Sequence, residues 1–476
     1  MSQPQRPYLL PHRLALLPAV ALLAGLWAGV ARAGCVDEDR PDPGSAAASG
    51  AKAGAAAAAA PAATFSAQPE AQLKTLVGEV LMRSQGVGSA RMLAEAAQID
   101  VDEAVAAKLP QAALTGSIGP NVNMGTDGNT TQLQVRAGLT ISQTLFDGGR
   151  SDRMIDWRRQ QAEVARLGAL TTQEQLTLSA TSLAFERSRY RMQAVVYGQH
   201  VRKMACLVEA LDSIVATDKG RLSELVQARK QQQQAELQQA QAVSQARQVE
   251  AKLRRMAGDG LPATDGLATL MLTVPPLPEL LASAERSTEI GQLDAAANAA
   301  REMARVTEAG TKPQVSWSVG GSTNLSAGTQ PPGGVASPHN AGVNASVMLS
   351  IPLLNPAIDH SIQAARRRAA ASVLQRADVL EQRRQRVVEV HEQATAAFER
   401  VRMVSLVLRD SDRLRNFTLQ QWQQLGRRSL FDVMAAEGDH YALRVQYINA
   451  LHDGQQLNAT LWSLGGGLSE WLRITP

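Results

Sequence analysis

Two stretches of the chain alternate apolar and polar residues with period two. In the first, Leu133, Val135, Ala137, Leu139 and Ile141 fall on one face, against Gln132, Gln134, Arg136, Thr140 and Ser142 on the other. In the second, Val343, Ala345, Val347, Leu349 and Ile351 oppose Asn344, Ser346 and Ser350. Successive side chains of a strand point to opposite sides, so the pattern predicts two strands that are apolar on one face and polar on the other. Shorter partners are predicted just upstream, at 113–118 and at 315–319, where Val315, Trp317 and Val319 share a face. Gly/Asn-rich loops at 119–131 and 320–341 join each pair.

Each alternation gives way to a long helical pattern at a corner. The first corner reads Leu145-Phe146-Asp147-Gly148-Gly149-Arg150, where two glycines suit a tight bend and Asp147 can cap the following helix. The second is a worn copy, Ile351-Pro352-Leu353-Leu354-Asn355-Pro356, with Asn355-Pro356 in place of the glycine pair. Leu145 falls on Leu353 at an offset of 208, and the same offset carries Leu222-Ser223-Glu224-Leu225-Val226 onto Leu430-Phe431-Asp432-Val433-Met434 and Gly258 onto Gly466. The chain is therefore a tandem duplication, and a repeat of this size outranks local signals in deciding the fold. A helical pattern also precedes each strand pair, over about 70–108 up to Pro110 and about 277–312 up to Pro313.

The helices after the corners carry coiled-coil seams. Leu380, Val387, Val390, Ala394, Ala397, Val401, Val404 and Leu408 follow such spacings in one arm, and Ala235, Ala242, Ala246, Val249, Leu253 and Met256 in another. The counterpart of the latter is Leu443, Tyr447, Ala450, Gly454, Leu457, Leu461 and Leu464, whose small members let backbones approach closely. Folding each run near its middle predicts tips around 197–200 and 406–410, with arms of about 50 residues reaching roughly 75 Å.

The N-terminus addresses the protein to an export pathway. Arg6, His12 and Arg13 precede an apolar run from Leu14 to Val30 that ends in Ala31-Arg32-Ala33, the pattern of a cleaved signal peptide over 1–33. Cys35 follows at once, so lipid attachment there stands open beside simple cleavage, although Arg32 occupies the place where lipid-attachment signals carry an aliphatic residue. Residues 34–68 read as a low-complexity linker, 69–268 as a first repeat of helix, two strands and long helical hairpin, and 269–476 as a second. No later segment has about 18 uninterrupted apolar residues, so a membrane can be crossed only by strands.

Composition sharpens this picture. Aromatics make up only 4% and charged residues 19%, which disfavours large packed cores and suits long helices meeting along narrow seams. The net charge of +4 comes from scattered residues not interleaved with aromatics, so nucleic-acid binding has no support. Cys35 and Cys206 are the two cysteines, which make no disulfide framework. No phosphate loop, nucleophile elbow or Cys/His cluster is present; His391-Glu392 begins an HExxH pattern, but Thr395 stands where its second histidine is required. The chain reads as a non-enzyme without cofactor or metal.

Four strands cannot stand alone in a bilayer, because an open sheet exposes two unpaired edges to hydrocarbon. Copies of the chain must close the sheet: two give eight strands with an interior filled by side chains, three give twelve and an open lumen. The rival is a periplasmic coiled-coil scaffold or adaptor without a pore, which leaves the amphipathic strands unexplained.

The Leu145-Phe146-Asp147-Gly148-Gly149-Arg150 corner, the Gly426-x-x-Ser429-Leu430-x-Asp432-Val433 block and the duplication together resemble the TolC family of outer-membrane efflux and type I secretion channel proteins, over about residues 70–470. The resemblance implies an α+β membrane protein. Its four β-strands per chain contribute to a trimeric twelve-stranded outer-membrane β-barrel, continued by a long antiparallel α-helical periplasmic barrel. It also implies a homotrimer that meets a periplasmic membrane-fusion adaptor and an inner-membrane ABC or RND-type pump, with lipid around the barrel. Family members often carry acidic residues at a constricted periplasmic entrance; Asp212, Asp410 and Asp412 are the candidates here. The sequence departs from the family at Asn355-Pro356, and in an aromatic displaced to Trp422. The adjacent glycines resemble members serving type I protein secretion and some multidrug pumps.

Overall fold

In a computed structural model, the structure describes residues 69–125, 128–262, 266–328, 339–425 and 427–474. The signal peptide, Cys35 and the 34–68 linker lie outside the described residues. The first half comprises α1 (Pro69–Arg83), α2 (Gln85–Ala106), β1 (Gln111–Gly125), β2 (Gly128–Phe146), α3 (Arg150–Val215) and α4 (Leu222–Ala257). The second comprises α5 (Leu277–Ala284), α6 (Thr288–Ala309), β3 (Gln314–Gly328), β4 (His339–Ser350), α7 (Pro356–Leu425), α8 (Leu430–Leu464) and a short α9 (Leu468–Trp471). Element answers element across the halves, as the duplication requires. The helix expected over 70–108 is broken after Arg83, where the Ser84 hydroxyl accepts from Val87 N and starts a new helix; the run expected over 277–312 is broken between α5 and α6, where Ser287 makes no side-chain cap.

The strands form one antiparallel sheet in the order β1-β2-β3-β4. They are longer than the alternation suggested. Much of the expected loops, 119–125, 128–131, 320–328 and 339–341, is strand. Glycines and asparagines there favour turns locally, but sheet pairing against a long partner overrides that preference.

The expected tips are displaced. Neither 197–200 nor 406–410 bends: α3 runs unbroken for 66 residues and α7 for 70, about 100 Å each. The turns come at 216–221 and after Leu425, because the two arms of a hairpin are unequal. Returning α4 and α8 have only 36 and 35 residues, and separate helices complete the wall: α2 packs on α3, and α6 packs on α7 as well as α3. A midpoint fold-back assumed equal arms and so placed the tips too early. The seams themselves are where expected: Val387, Val390, Ala394, Ala235, Ala242, Val249, Leu253, Ala450 and Leu461 are buried.

The largest core gathers where α1, α3, α4 and the C-terminal segment converge, around Leu73, Val77, Phe185, Leu253, Leu468 and Leu472. The segment joining the halves is pinned to α8 by buried amides. Gln455 Nε2 donates to Leu267 O and Leu270 O at 3.0 and 2.7 Å, and Asn458 Nδ2 to Met271 O and Thr273 O at 2.6 and 3.2 Å. These bonds satisfy carbonyls of a chain segment with little secondary structure of its own.

Between α3 and α8, the His200 ring stacks on Tyr441 with centroids 4.7 Å apart, beside Val196, Val445 and Ile448. Burial disfavours the charged imidazole and pushes the His200 pKa down to about 4. As pH falls from about 6.5 to about 4, the unfolded chain takes up a proton that the folded chain refuses, so stability falls over that window by up to roughly 3 kcal/mol. We expect His200→Gln to flatten this part of the pH dependence, read as urea midpoints at pH 7 and 4.5. A variant that keeps the full decline would assign it to other groups instead, among them His452, whose pKa burial also lowers, and the carboxylates.

Candidate functional site: the sheet faces, the corners and the helical tips

Register makes the apolar stripes of the four strands one continuous face. Leu114 lies opposite Leu139, which lies opposite Gly321, opposite Val343. Ala112, Ile141, Val319 and Ala345 form another such row, and Ile118, Val135 and Leu325 a third. Leu114 is 80% and Val343 84% exposed, so none of the described residues covers this face. The other face carries Thr115, Ser117, Asn121, Gln132, Gln134, Arg136, Thr140, Ser318, Ser322, Asn324, Asn344 and Ser346. Ser318 and Ser346 share a hydrogen bond at 2.9 Å across it. β1 and β4 each pair on one side only.

The first corner is built by Asp147. Its Oδ1 accepts from Gly149 N at 3.0 Å, and its Oδ2 accepts from Ser151 N at 2.7 Å and from the Ser151 hydroxyl. Burial alone would raise this carboxyl's pKa, but the hydrogen bonds from Ser151 and Gly149 outweigh it and hold the group below the usual range. Gly148 and Gly149 have φ of 66° and 85°, the left-handed region, and α3 begins immediately after them. A β-bulge between Thr144 and Phe146 sets Phe146 rather than Leu145 opposite Val315, on the apolar face. Two neighbouring junctions close over the bend: Lys312 Nζ donates to Gly148 O at 3.0 Å, and Gln143 Nε2 to Lys108 O at 3.0 Å.

The second corner turns differently, as its altered residues foretold. β4 ends at Ser350, residues 351–355 have no regular structure, and α7 starts at Pro356, the first helical position, where a missing N–H costs nothing. By the offset of 208, Asn355 answers to Asp147 rather than to a glycine. Leu353 is 91% and Leu354 88% exposed.

The tips hold the acidic candidates unequally. Asp212 lies in the last turn of α3 and pairs with Arg229 at 2.7 Å. Asp410 and Asp412 lie about 20 Å short of the end of α7. Asp410 makes an exposed pair with Arg413 at 3.4 Å, while Asp412 bonds Arg415 at 2.9 Å. Arg415 leads into a feature the sequence reading missed: Glu437, almost wholly buried, lies 3.5 Å from Arg415 and 3.7 Å from Lys203, tying α7, α8 and α3 together. The available signal was a carboxylate on the buried stripe of α8, in step with Val433, Met434 and Tyr441. The Ser429/Asp432 pair of the recognised block is a capping box that starts α8, each side chain accepting from the other's backbone N at 3.2 Å.

Among the described residues, no helix is long and apolar enough to cross a membrane, and no group of His, Cys, Asp and Glu could hold a metal ion.

Residues 76–259 match the family model of outer membrane efflux proteins. No curated protein sequence matches the chain. Solved structures share the fold over most of its length. CusC, described for its transmembrane channel formation, has a TM-score of 0.72 at 20% identity over 83% of this chain and 92% of its own. The outer membrane protein VceC of Vibrio cholerae has 0.68 at 18%, over 84% and 97%. The open MtrE outer membrane channel of Neisseria gonorrhoeae has 0.68 at 15%, over 83% and 89%. The resemblance to the TolC family, drawn from the corner, the Ser429 block and the duplication, is borne out.

At the first corner, an alanine at the left-handed Gly149 meets nothing within 4 Å, so Gly149→Ala is expected to cost only backbone strain, about 1–2 kcal/mol. Gly148→Ala brings its Cβ inside contact distance of the Lys312 side chain and is expected to cost more. Thermal melts of the purified variants check the order; equal losses would show that Lys312 yields freely.

Proposed function

We propose, from the premise that this chain has the fold of the outer-membrane efflux channels and matches their family model over 76–259, that it is the outer-membrane exit duct of a tripartite export system. It is a passive channel that serves type I protein secretion or drug efflux. The observation that carries this reading is the sheet with one uncovered apolar face, one polar face and two free edges. Lipid covers the apolar face, water fills the other side, and further copies pair the edges; three copies give twelve strands and an open lumen. The helical wall then lies in the periplasm, where an adaptor and an inner-membrane pump open its tips. Asp212 is the acidic candidate nearest that entrance, with Asp410 and Asp412 set back from it. A scaffold without a pore leaves the apolar sheet face in water. The chain divides into a first repeat over 69–268 and a second over 269–476, a division supported by the element-by-element match.

The duplication also supplies the register of the seam between copies. Gln111 pairs with Ser142 and Gln314 with Ser350, so β1 maps onto β3 at an offset of 203 while β2 maps onto β4 at 208. Applied to the internal β2–β3 pair Thr140↔Gly320, these offsets set Met348 opposite Ser117 of the next copy. The same shift sets Val347 opposite Ile118 and Ile351 opposite Leu114, apolar on apolar, and spans β1 from end to end. On this register Pro120 and Pro352 fall on opposite phases of the hydrogen-bond alternation, so only one of them withholds a donor from the seam.

With Cys35 and Cys206 replaced by serine, Met348→Cys combined with Ser117→Cys should oxidise to a covalent ring of three in outer membranes. Directly opposed strand residues are within disulfide reach, whereas the shifted pairs with Thr115→Cys or Gly119→Cys are not. Crosslinking by a shifted pair would refute the register. Separately, Leu139→Arg on the lipid-facing side should lose membrane-assembled protein, at roughly 2–4 kcal/mol near the midplane. Normal yield would mean the faces are reversed.

A further inference from the structure

Among their described residues, the four strands carry one formally charged side chain, Arg136, and no carboxylate. Arg136 is exposed on the polar face. Register sets it beside Ser117 on β1 and Asn324 on β3, and Asn324 beside Asn340 on β4. A guanidinium that served only to hold the sheet together would be expected to face a carboxylate. Here its neighbours are hydroxyl and amide groups, which can themselves donate to an anion.

We propose that Arg136 forms an anion-attracting ring inside the barrel, so that the duct favours anionic solutes, those bearing carboxylate, phosphate or sulfonate groups. The inference rests on the three-copy barrel proposed above, in which threefold symmetry sets three copies of Arg136 at one level. Twelve strands about 4.8 Å apart and tilted about 40° give a backbone radius of roughly 12 Å. The arginine stem carries each guanidinium about half-way to the axis. The Debye length is about 10 Å at 0.1 M salt, so the three fields overlap across the whole lumen. In a water-filled lumen the attraction stays modest: Coulomb's law at high dielectric, with screening, gives roughly a two- to five-fold preference for anions over cations. The ring lies about 25 Å from the corner along the barrel axis, on the far side from the helical arms, so charges at the tips are many Debye lengths away.

The test is the reversal potential of purified trimer in planar bilayers under a KCl gradient. Wild type should prefer chloride near 0.1 M and lose the preference near 1 M, where the Debye length is about 3 Å. Arg136→Lys should keep the preference, Arg136→Gln abolish it, and Arg136→Glu invert it. Tripolyphosphate added on the barrel side should reduce the wild-type current and spare Arg136→Gln, which carries the test if the glutamate variant fails to assemble. Channels of Arg136→Gln with the wild-type reversal potential and the wild-type block overturn the inference and leave the duct intact. Absence of current from wild type under every condition, with adaptor and pump added as well, together with recovery of all the protein in the soluble fraction, overturns the duct.

Discussion

Everything in this molecule depends on a sheet that its own chain cannot finish. Among the described residues, β1 and β4 each offer a row of backbone donors and acceptors with no partner, and an apolar face crosses all four strands uncovered. In water the edges would be hydrated and the face would aggregate; in lipid the face would be satisfied and the edges would cost several kcal/mol per group. Only a closed barrel in a membrane meets both demands. The sheet therefore dictates the environment and the assembly together, and the helices must continue whatever wall the strands begin.

The helices do so with very little side-chain volume. A 66-residue helix needs partners along its whole length, and the chain provides them in sequence, α4 and α8 towards the tip and α2 and α6 towards the sheet. Alanine and other small seam residues allow close packing but bury little apolar area per contact, so the wall gains its strength from length. The larger side chains collect where α1, α3, α4 and the C-terminal segment converge, around Phe185. Towards the tips, specificity comes from buried charge. Glu437 between Lys203 and Arg415 contributes little net stability, yet loss of one partner would leave a charge stranded in the wall.

What could be read from the sequence was whatever repeats. Period-two stripes at 133–141 and 343–351 marked the strands, heptad spacing marked the seams, and the offset of 208 tied corner to corner and arm to arm. What escaped was non-local. Nothing near Ser84 distinguishes a break in a helix from an exposed serine within one. The lengths of α3 and α7 follow from α2 and α6 packing alongside them, which no window of sequence contains. Strand residues such as Gly320 and Asn324 look like turn formers until a partner strand takes up their backbone groups. Glu437 was legible in principle, because it interrupts an apolar stripe, but its two cations lie on other helices.

The inequality of the two corners follows from the same incompleteness of the sheet. At the first, β2 continues through Gln143 and Thr144 to Phe146 because β3 is there to pair with it, and the glycines then turn the chain at once into α3. At the second, the residues that answer to these, from Ile351 to Leu354, have no strand beside them in their own chain, and their apolar side chains stand in the open. In the proposed ring, β1 of the next copy takes the place that β3 holds internally. Asn355-Pro356 is then less a degraded glycine pair than a helix start matched to a corner whose other half arrives only with assembly. Within one chain the halves differ because one bend is completed by folding and the other by association.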